Sequence, residues 1–274
     1  MTSRPQLAFV GGGTMAEALI KGLVGRKVHA AGDLLVSDPL PSRLEHLRDT
    51  YGVRTSLDNR EALEAEAVLL AVKPAQLHGV MTQLAPGWPA TTPGLSIVAG
   101  ARLDHLASYF SDPCPPWIRA MPNTCATIGQ GITALAWTDR VGAADQARAR
   151  AVFASVGETV ELPEGYFDAV TGLSGSGPAY VTLIIEALID AGVQQGLPRR
   201  ISRELVCQTV AGAALLVKAS GMHPAELKDQ VVTPAGTTAA GLQVLEEAAV
   251  RATFCLAVKA ATERSRSLGQ EASR

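Results

Sequence analysis

Aromatic residues, blocks of like charge and clustered cysteines are all scarce in this chain. Only 4% of its 274 residues are aromatic and 18% are charged, against 47% hydrophobic, which is a soluble composition rich in Ala, Gly, Val and Leu. The net charge is -2 with a pI near 6.2. No run of five like charges occurs, which argues against nucleic acid and against an anionic membrane surface as partners and favours a small molecule. The four cysteines, Cys114, Cys125, Cys207 and Cys255, lie far apart with no C-x-x-C pair, and no histidine stands at metal spacing. That excludes a disulfide framework and leaves a reduced, cytoplasmic, metal-free protein with buried thiols as the expectation. The five histidines are scattered singly, and none forms a dyad with Ser or Cys. No apolar stretch approaches the roughly 18 residues of a membrane span, and Arg4-Pro5 running directly into a strand-like segment argues against a signal peptide.

What is present is a long alternation followed by a long stretch of helix. The length suggests two domains. Leu7–Val10 is a short β-type run that breaks into Gly11-Gly12-Gly13-Thr14-Met15-Ala16 and then a helical pattern through Leu19, Ile20 and Leu23. In this G-x-G-x-x-A pattern Gly11 permits the tight turn, Gly13 lets the backbone approach a pyrophosphate, and Ala16 lets helix and strand pack closely. A second strand, Leu34–Val36, ends at Ser37-Asp38. Asp38 would take a ribose 2′-hydroxyl and favour NAD, whereas Ser37 with Arg43 would hold a 2′-phosphate and favour NADP; the sequence offers both.

Further strands are expected at Ala67–Val72, Leu95–Ala99, Trp117–Ala120, Ile132–Trp137 and Glu158–Leu162, with helices at Ser42–Tyr51, Glu61–Glu66, Leu103–Phe110 and Ala143–Ser155. Repeated β-α units with continuous apolar strands imply an α/β fold with a parallel, doubly wound, Rossmann-type sheet over residues 1–163. Ligands bind at the carboxyl ends of such strands, which singles out Lys73-Pro74 and Met121-Pro122-Asn123-Thr124. Asn123 is a candidate for the nicotinamide amide, or a plain turn residue.

From residue 164 to 274 every segment reads as helix, bracketed by Gly and Pro. The segments Pro178–Asp190 and Pro198–Ala219 are apolar over more than one stripe, with Val181, Leu183, Ile184, Ile185, Leu188 and Ile189 covering most of the first. A module of this size cannot bury such helices alone, so a second copy is expected to interleave with it as a homodimer. Glu186 and Asp190 read as a solvated or interfacial stripe, and Arg199, Arg200 and Arg203 are expected to meet acids across that interface. Thr233-Pro234-Ala235-Gly236-Thr237-Thr238 joins two helical patterns. Its Pro, Gly and hydroxyls suit a sharp polar turn whose free N–H groups, at the start of a new helix, form an anion site; ordinary capping is the other reading.

A dinucleotide domain followed by an all-helical one suggests a reductase or dehydrogenase. The glycines Gly172, Gly175 and Gly177 resemble the G-x-x-G-x-G-x-x-x-K motif of β-hydroxyacid dehydrogenases, but Val181 falls where the acid/base Lys would stand. Alcohol oxidation would lack its base. Reduction of an imine asks less, because a protonated iminium already draws hydride and the enzyme mainly holds and orients the partners.

Gly175-Ser176-Gly177-Pro178-Ala179-Tyr180, the segment Leu227-Lys228-Asp229 through Thr238, and the following Leu242 and Leu245-Glu246 resemble pyrroline-5-carboxylate reductase. The similarity covers nearly the whole chain, including the glycine turn, Val72-Lys73-Pro74 and Met121-Pro122-Asn123-Thr124. The resemblance implies reduction of 1-pyrroline-5-carboxylate to proline, with NADPH expected as hydride donor and NADH as the alternative, in a homodimer built through the C-terminal helices and open to higher assembly. It implies that N–H groups around Gly236, Thr237 and Thr238 take the substrate carboxylate, that Gln230 stands near the substrate, and that the Thr238 hydroxyl bonds or protonates the ring nitrogen. The substrate would lie where the C-terminal helices of two protomers meet the nicotinamide. The implied cofactor positions are Gly11, Gly12, Gly13, Thr14, Met15, Asp38 or its neighbour Ser37, Arg43, Asn59, Val72, Lys73, Pro74 and Asn123. Two departures are Cys125, where the family often has proline, and Gln230, where some members have asparagine. The competing readings are reduction of a related cyclic imine carboxylate and a dinucleotide-binding regulator without catalysis.

Overall fold

Leu7–Val10 forms β1, fully buried at every position, because both of its faces are covered by other elements. In this computed structural model, which describes residues 4–272, β1 feeds the helix α1 (Thr14–Gly25) through the glycine turn. There follow β2 (Leu34–Ser37), α2 (Pro41–Tyr51), β3 (Arg54–Ser56), β4 (Val68–Leu70), α3 (Pro74–Leu84), β5 (Gly94–Ser96), α4 (Leu103–Ala107), β6 (Trp117–Met121), β7 (Gly131–Trp137), α5 (Ala143–Ala154) and β8 (Gly157–Glu161). The strand order is β3-β2-β1-β4-β5-β6-β7-β8. Its first six strands, all parallel, have the doubly wound order in which the direction of strand addition reverses between β1 and β4, the place where dinucleotides bind.

Alternate residues of each strand feed two separate cores. Leu7, Phe9, Leu34 and Val36 pack with Leu19, Ile20 and Leu23 of α1 and Phe153 of α5. Ala8, Val10 and Leu35 pack on the other side with Leu77, Met81 and Leu84 of α3 and with Trp88 and Trp117. Covering on both sides is why these strands read as unbroken apolar runs.

Three features correct the sequence reading. The sheet is not wholly parallel: β6 and β7 pair antiparallel, while β8 runs parallel to β7. The short connection from Met121 to Gly131 carries only a 3-10 turn, Thr124–Ile128, and a parallel return needs about a dozen residues or more. Strand β3 and helix α3 had no counterpart in the expectations. Pro74 occupies the first turn of α3, where its missing N–H costs nothing and its fixed φ starts a helix instead of ending a strand. Finally, the helix expected at Glu61–Glu66 is a 3-10 turn at Asn59–Glu64 capped by Asp58.

The helical part begins with α6 (Phe167–Val170), continues through a π-turn, Thr171–Gly175, and runs into α7 (Gly177–Gln194). The glycines read as punctuation are thus carried inside one helical stretch, Glu164–Gln194, which by length and composition alone is long and apolar enough to cross a membrane. That corrects the expectation that no stretch of this length exists. Then come α8 (Arg199–Ser220), α9 (Pro224–Val231), α10 (Thr237–Glu247) and α11 (Val250–Ala272).

By packing, the chain divides into one unit of residues 1–176 with 260–274 and a second, Gly177–Lys259. The first unit takes in the start of the helical part because Phe167 is buried in the core with the α3 residues, and because Ser265 Oγ donates to Asp168 Oδ1 at 2.7 Å. In the second unit only Ser202 and Leu227 are buried. Ser202 Oγ donates to the Ile189 carbonyl at 2.8 Å and pins α8 to α7. Two of the three arginines expected to meet acids of a partner find them in their own chain: Arg199 pairs with Asp190 at 2.7 Å and Arg200 with Glu204 at 2.6 Å.

Candidate active site

The first constellation lies at the carboxyl ends of β1, β2 and β4. Gly11 has φ +99°, and a Cβ there would stand 2.8 Å from the Ala71 carbonyl oxygen, so the turn requires glycine. Its amide donates to Ser37 O at 2.8 Å. Gly13 has no heavy atom within 4 Å of where a Cβ would be. Its face is open, and no side chain caps α1, so the first-turn amides around Gly13, Thr14 and Met15 are free to meet a pyrophosphate.

The glycine turn is held from behind by two side chains, Asp38 and Arg43. Asp38 Oδ2 accepts the Gly12 amide at 2.8 Å and Oδ1 accepts the Leu40 amide at 2.9 Å. Arg43 donates through Nε to the Gly12 carbonyl and through Nη2 to the Gly13 carbonyl at 3.4 Å. Arg43 is itself paired with Glu17 of α1. Glu17 also accepts from His46 at 2.9 Å and from the Tyr51 hydroxyl at 3.0 Å. Burial pushes the Glu17 carboxyl up, but the hydrogen bonds from His46, Arg43 and Tyr51 outweigh it and hold the pKa at about 2.

These elements enclose a cleft of about 340 Å³. Of the residues proposed from the sequence, Gly11, Gly13, Asp38, Asn59, Val72 and Lys73 line it. Gly12 is buried and does not line it. Ser37 does not reach it: the side chain is fully buried, and its hydroxyl donates to the Phe9 carbonyl at 3.3 Å. A role for Ser37 in holding a 2′-phosphate is therefore not met, because even alternation sends this strand residue inward. Pro74 serves as the start of α3, with the Lys73 amide donating to Gln76 Oε1 at 3.2 Å. Met15 packs against the core. Leu40 and Leu57, apolar yet more than 60% exposed, form walls of the cleft that sequence reading missed. Leu57 follows directly on the missed strand β3, and recognising that strand would have found it.

Asn123 lies outside this lining. Its amide Nδ2 donates to the Ser174 carbonyl at 3.3 Å, and its Oδ1 accepts the Ile132 amide at 3.4 Å. It ties the loop after β6 to the π-turn, a helical irregularity frequent at functional sites.

The second constellation is the turn before α10, in the helical unit. Gly236 N donates to Thr233 O at 3.0 Å, and Ala235 has φ +56°. Pro at the second position with positive φ at the third is the signature of a type II turn. Alanine in left-handed conformation is uncommon and marks a locally strained segment. A Cβ at Gly236 would overlap Thr233 Oγ1. Gly236 is the N-cap of α10, and no side chain caps the helix. The first-turn amides thus face outward with the helix dipole behind them, and the reading as ordinary side-chain capping falls away. Thr238 is half-buried, and Thr237 is exposed. Gln230, near the end of α9, is exposed and directs Nε2 to Met222 Sδ at 3.8 Å.

A pyrophosphate-ready cleft at the switch point of a doubly wound sheet, followed by a helical unit with its own anion-ready turn, defines an NAD(P)-dependent oxidoreductase. Known proteins agree with this class. The family model described as pyrroline-5-carboxylate reductase dimerisation matches residues 164–268, and one described as NADP oxidoreductase, coenzyme F420-dependent, matches residues 6–100. A pyrroline-5-carboxylate reductase of Synechocystis is 48% identical over 268 residues, covering 97% of this chain and 99% of that one. Among solved structures, the Coxiella burnetii pyrroline-5-carboxylate reductase has a TM-score of 0.89 at 31% identity, covering 97% of this chain and 99% of that one. The Plasmodium falciparum pyrroline carboxylate reductase, solved with NADP bound, has a TM-score of 0.87 at 32% identity over 98% and 99% of the two chains. The chain belongs to the pyrroline-5-carboxylate reductase family.

Proposed function

We propose that this chain reduces the C=N bond of 1-pyrroline-5-carboxylate to L-proline with NAD(P)H, the last step of proline biosynthesis. The observation that carries the reading is the uncapped first turn of α10, Gly236 to Thr238, in a chain that matches the family over nearly its full length. Amides around Gly236, Thr237 and Thr238 bind the substrate carboxylate. The Thr238 hydroxyl, unused in capping, orients the ring nitrogen or gives it a proton, and Gln230 offers a further donor. Gly11, Gly12, Gly13, Thr14 and Met15 hold the pyrophosphate with Arg43 bracing their turn from behind, Asp38 and Asn59 flank the adenosine end, and Val72, Lys73, Pro74 and Asn123 the nicotinamide end. The bound nicotinamide supplies the hydride. Because an iminium already carries positive charge, no base is required, which suits a site with Val181 in the place of a lysine.

The working form is a homodimer through the C-terminal helices. Support comes from the apolar surface that one copy leaves uncovered: no residue of α7 is buried, and Leu183, Leu215 and Leu256 are 65%, 62% and 65% exposed. Unpartnered apolar faces of this extent mark association surfaces. The same need explains the apolarity of Glu164–Gln194 without a membrane. A cytoplasmic location fits four cysteines that are all free thiols.

The test is pyrroline-5-carboxylate-dependent oxidation of NADH or NADPH by purified protein. A folded, dinucleotide-binding preparation without that activity overturns the proposal.

A further inference from the structure

We propose that Glu17 determines cofactor specificity: it holds Arg43 against the glycine turn, withholds that guanidinium from a 2′-phosphate, and together with Asp38 makes the cleft select NADH over NADPH. The inference deepens the reading of the cleft as an NAD(P)H site and rests on it.

The adenosine ribose of a dinucleotide sits at the end of the second strand, where Asp38 and Leu40 form one wall of the cleft and Leu57 and Asn59 another. Each Asp38 oxygen already accepts one backbone amide, from Gly12 and from Leu40, and keeps acceptor capacity for one more donor. Two ribose hydroxyls supply the donors such a carboxylate can use. A phosphate dianion supplies none and brings like charge against it.

A site for the 2′-phosphate would need a free cation to offset that repulsion. Arg43 is the nearest in sequence, but its Nε and Nη2 are spent on the Gly12 and Gly13 carbonyls and on Glu17, and it is not among the residues lining the cleft. Glu17 is anchored by His46 and Tyr51 as well, so turning Arg43 outward would strip a partly buried carboxylate of one of its three partners and of its paired guanidinium. Arg60, beside Asn59, is gripped by both oxygens of Asp58, at 3.0, 3.0 and 2.7 Å. Lys73 stands at the end of β4, across β1 from β2, and serves the other end of the dinucleotide.

The experiment is direct titration of NADH and of NADPH, without imine, into the wild-type protein and into the Glu17→Gln, Arg43→Ala and doubly substituted proteins. The wild type is expected to bind NADH about tenfold more tightly than NADPH. Glu17→Gln frees Arg43 and should improve NADPH about tenfold relative to NADH, and Arg43→Ala added to it should abolish that gain. Arg43→Ala alone should weaken both cofactors by a similar factor, since it loosens the glycine turn they share. Tighter wild-type binding of NADPH, a selective loss of NADPH in Arg43→Ala, or a gain that survives in the double variant each overturns the proposal. Should the Glu17→Gln protein fail to fold, the wild-type ratio and the Arg43→Ala ratio still decide it. Failure of both dinucleotides to bind the folded wild type would instead refute the reading of the cleft.

Discussion

Asn123 donates its side-chain amide to the carbonyl of Ser174, 51 residues further along the chain, at 3.3 Å. The bond fastens the loop after β6 to the π-turn that opens the helical part. Asn123→Asp keeps an acceptor for the Ile132 amide and loses the donor to Ser174. It is expected to cost about 1 kcal/mol of stability, read as a lower urea midpoint with an unchanged slope. An unaltered midpoint would show that the bond does not hold the π-turn.

Thr238→Val preserves shape and removes the hydroxyl. It should lower kcat while leaving dinucleotide affinity unchanged. A fall of about tenfold is expected if the hydroxyl only orients the ring, and of about a hundredfold or more if it delivers the proton. Loss of dinucleotide binding instead would remove Thr238 from the chemistry.

Acid stability tests the Glu17 cluster. Hydrogen bonds depress the Glu17 carboxyl from an ordinary 4.5 to about 2 despite its burial. The folded state thus binds this proton more weakly than the unfolded one. The stabilisation is fully present above the unfolded pKa and is lost as pH falls toward about 2. Glu17→Gln should lower the unfolding free energy near neutral pH by on the order of 2 kcal/mol after allowing for partial exposure, read as a lower urea midpoint. The difference from wild type should shrink progressively below about pH 4.5. A gap that stays constant over that window would mean the carboxylate charge contributes nothing.

Sedimentation at micromolar concentration should give a dimer or larger species and no stable monomer. Leu183→Glu places a charge on the uncovered face of α7 and should weaken association by at least about a hundredfold, with a lower thermal midpoint at equal protein concentration. Unchanged association would place the seam on a different face of the helices.

The glycine turn, the strand runs Leu34–Val36 and Trp117–Ala120, the helical second half and the Thr233 to Thr238 turn were legible in the sequence. Each is a local device: a glycine where φ must be positive, a period of two or of 3.6, a proline at a first turn. Strand β3 was not legible, because Arg54, Thr55 and Ser56 lack an apolar pattern and pair only at the sheet edge beside β2. The antiparallel placing of β7 turned on the length of one connection, which matters only once the sheet exists.

The sequence by itself determined the class of fold, the family, and which backbone turns are ready for anions, because those depend on residues adjacent in the chain. Tertiary structure decided which side chains remain free to use them. Ser37 was sent inward by strand alternation, and Asn123 was engaged by a carbonyl from a distant turn. Arg43 was claimed by Glu17, 26 residues before it. A charge can be spent only once, and folding settles where.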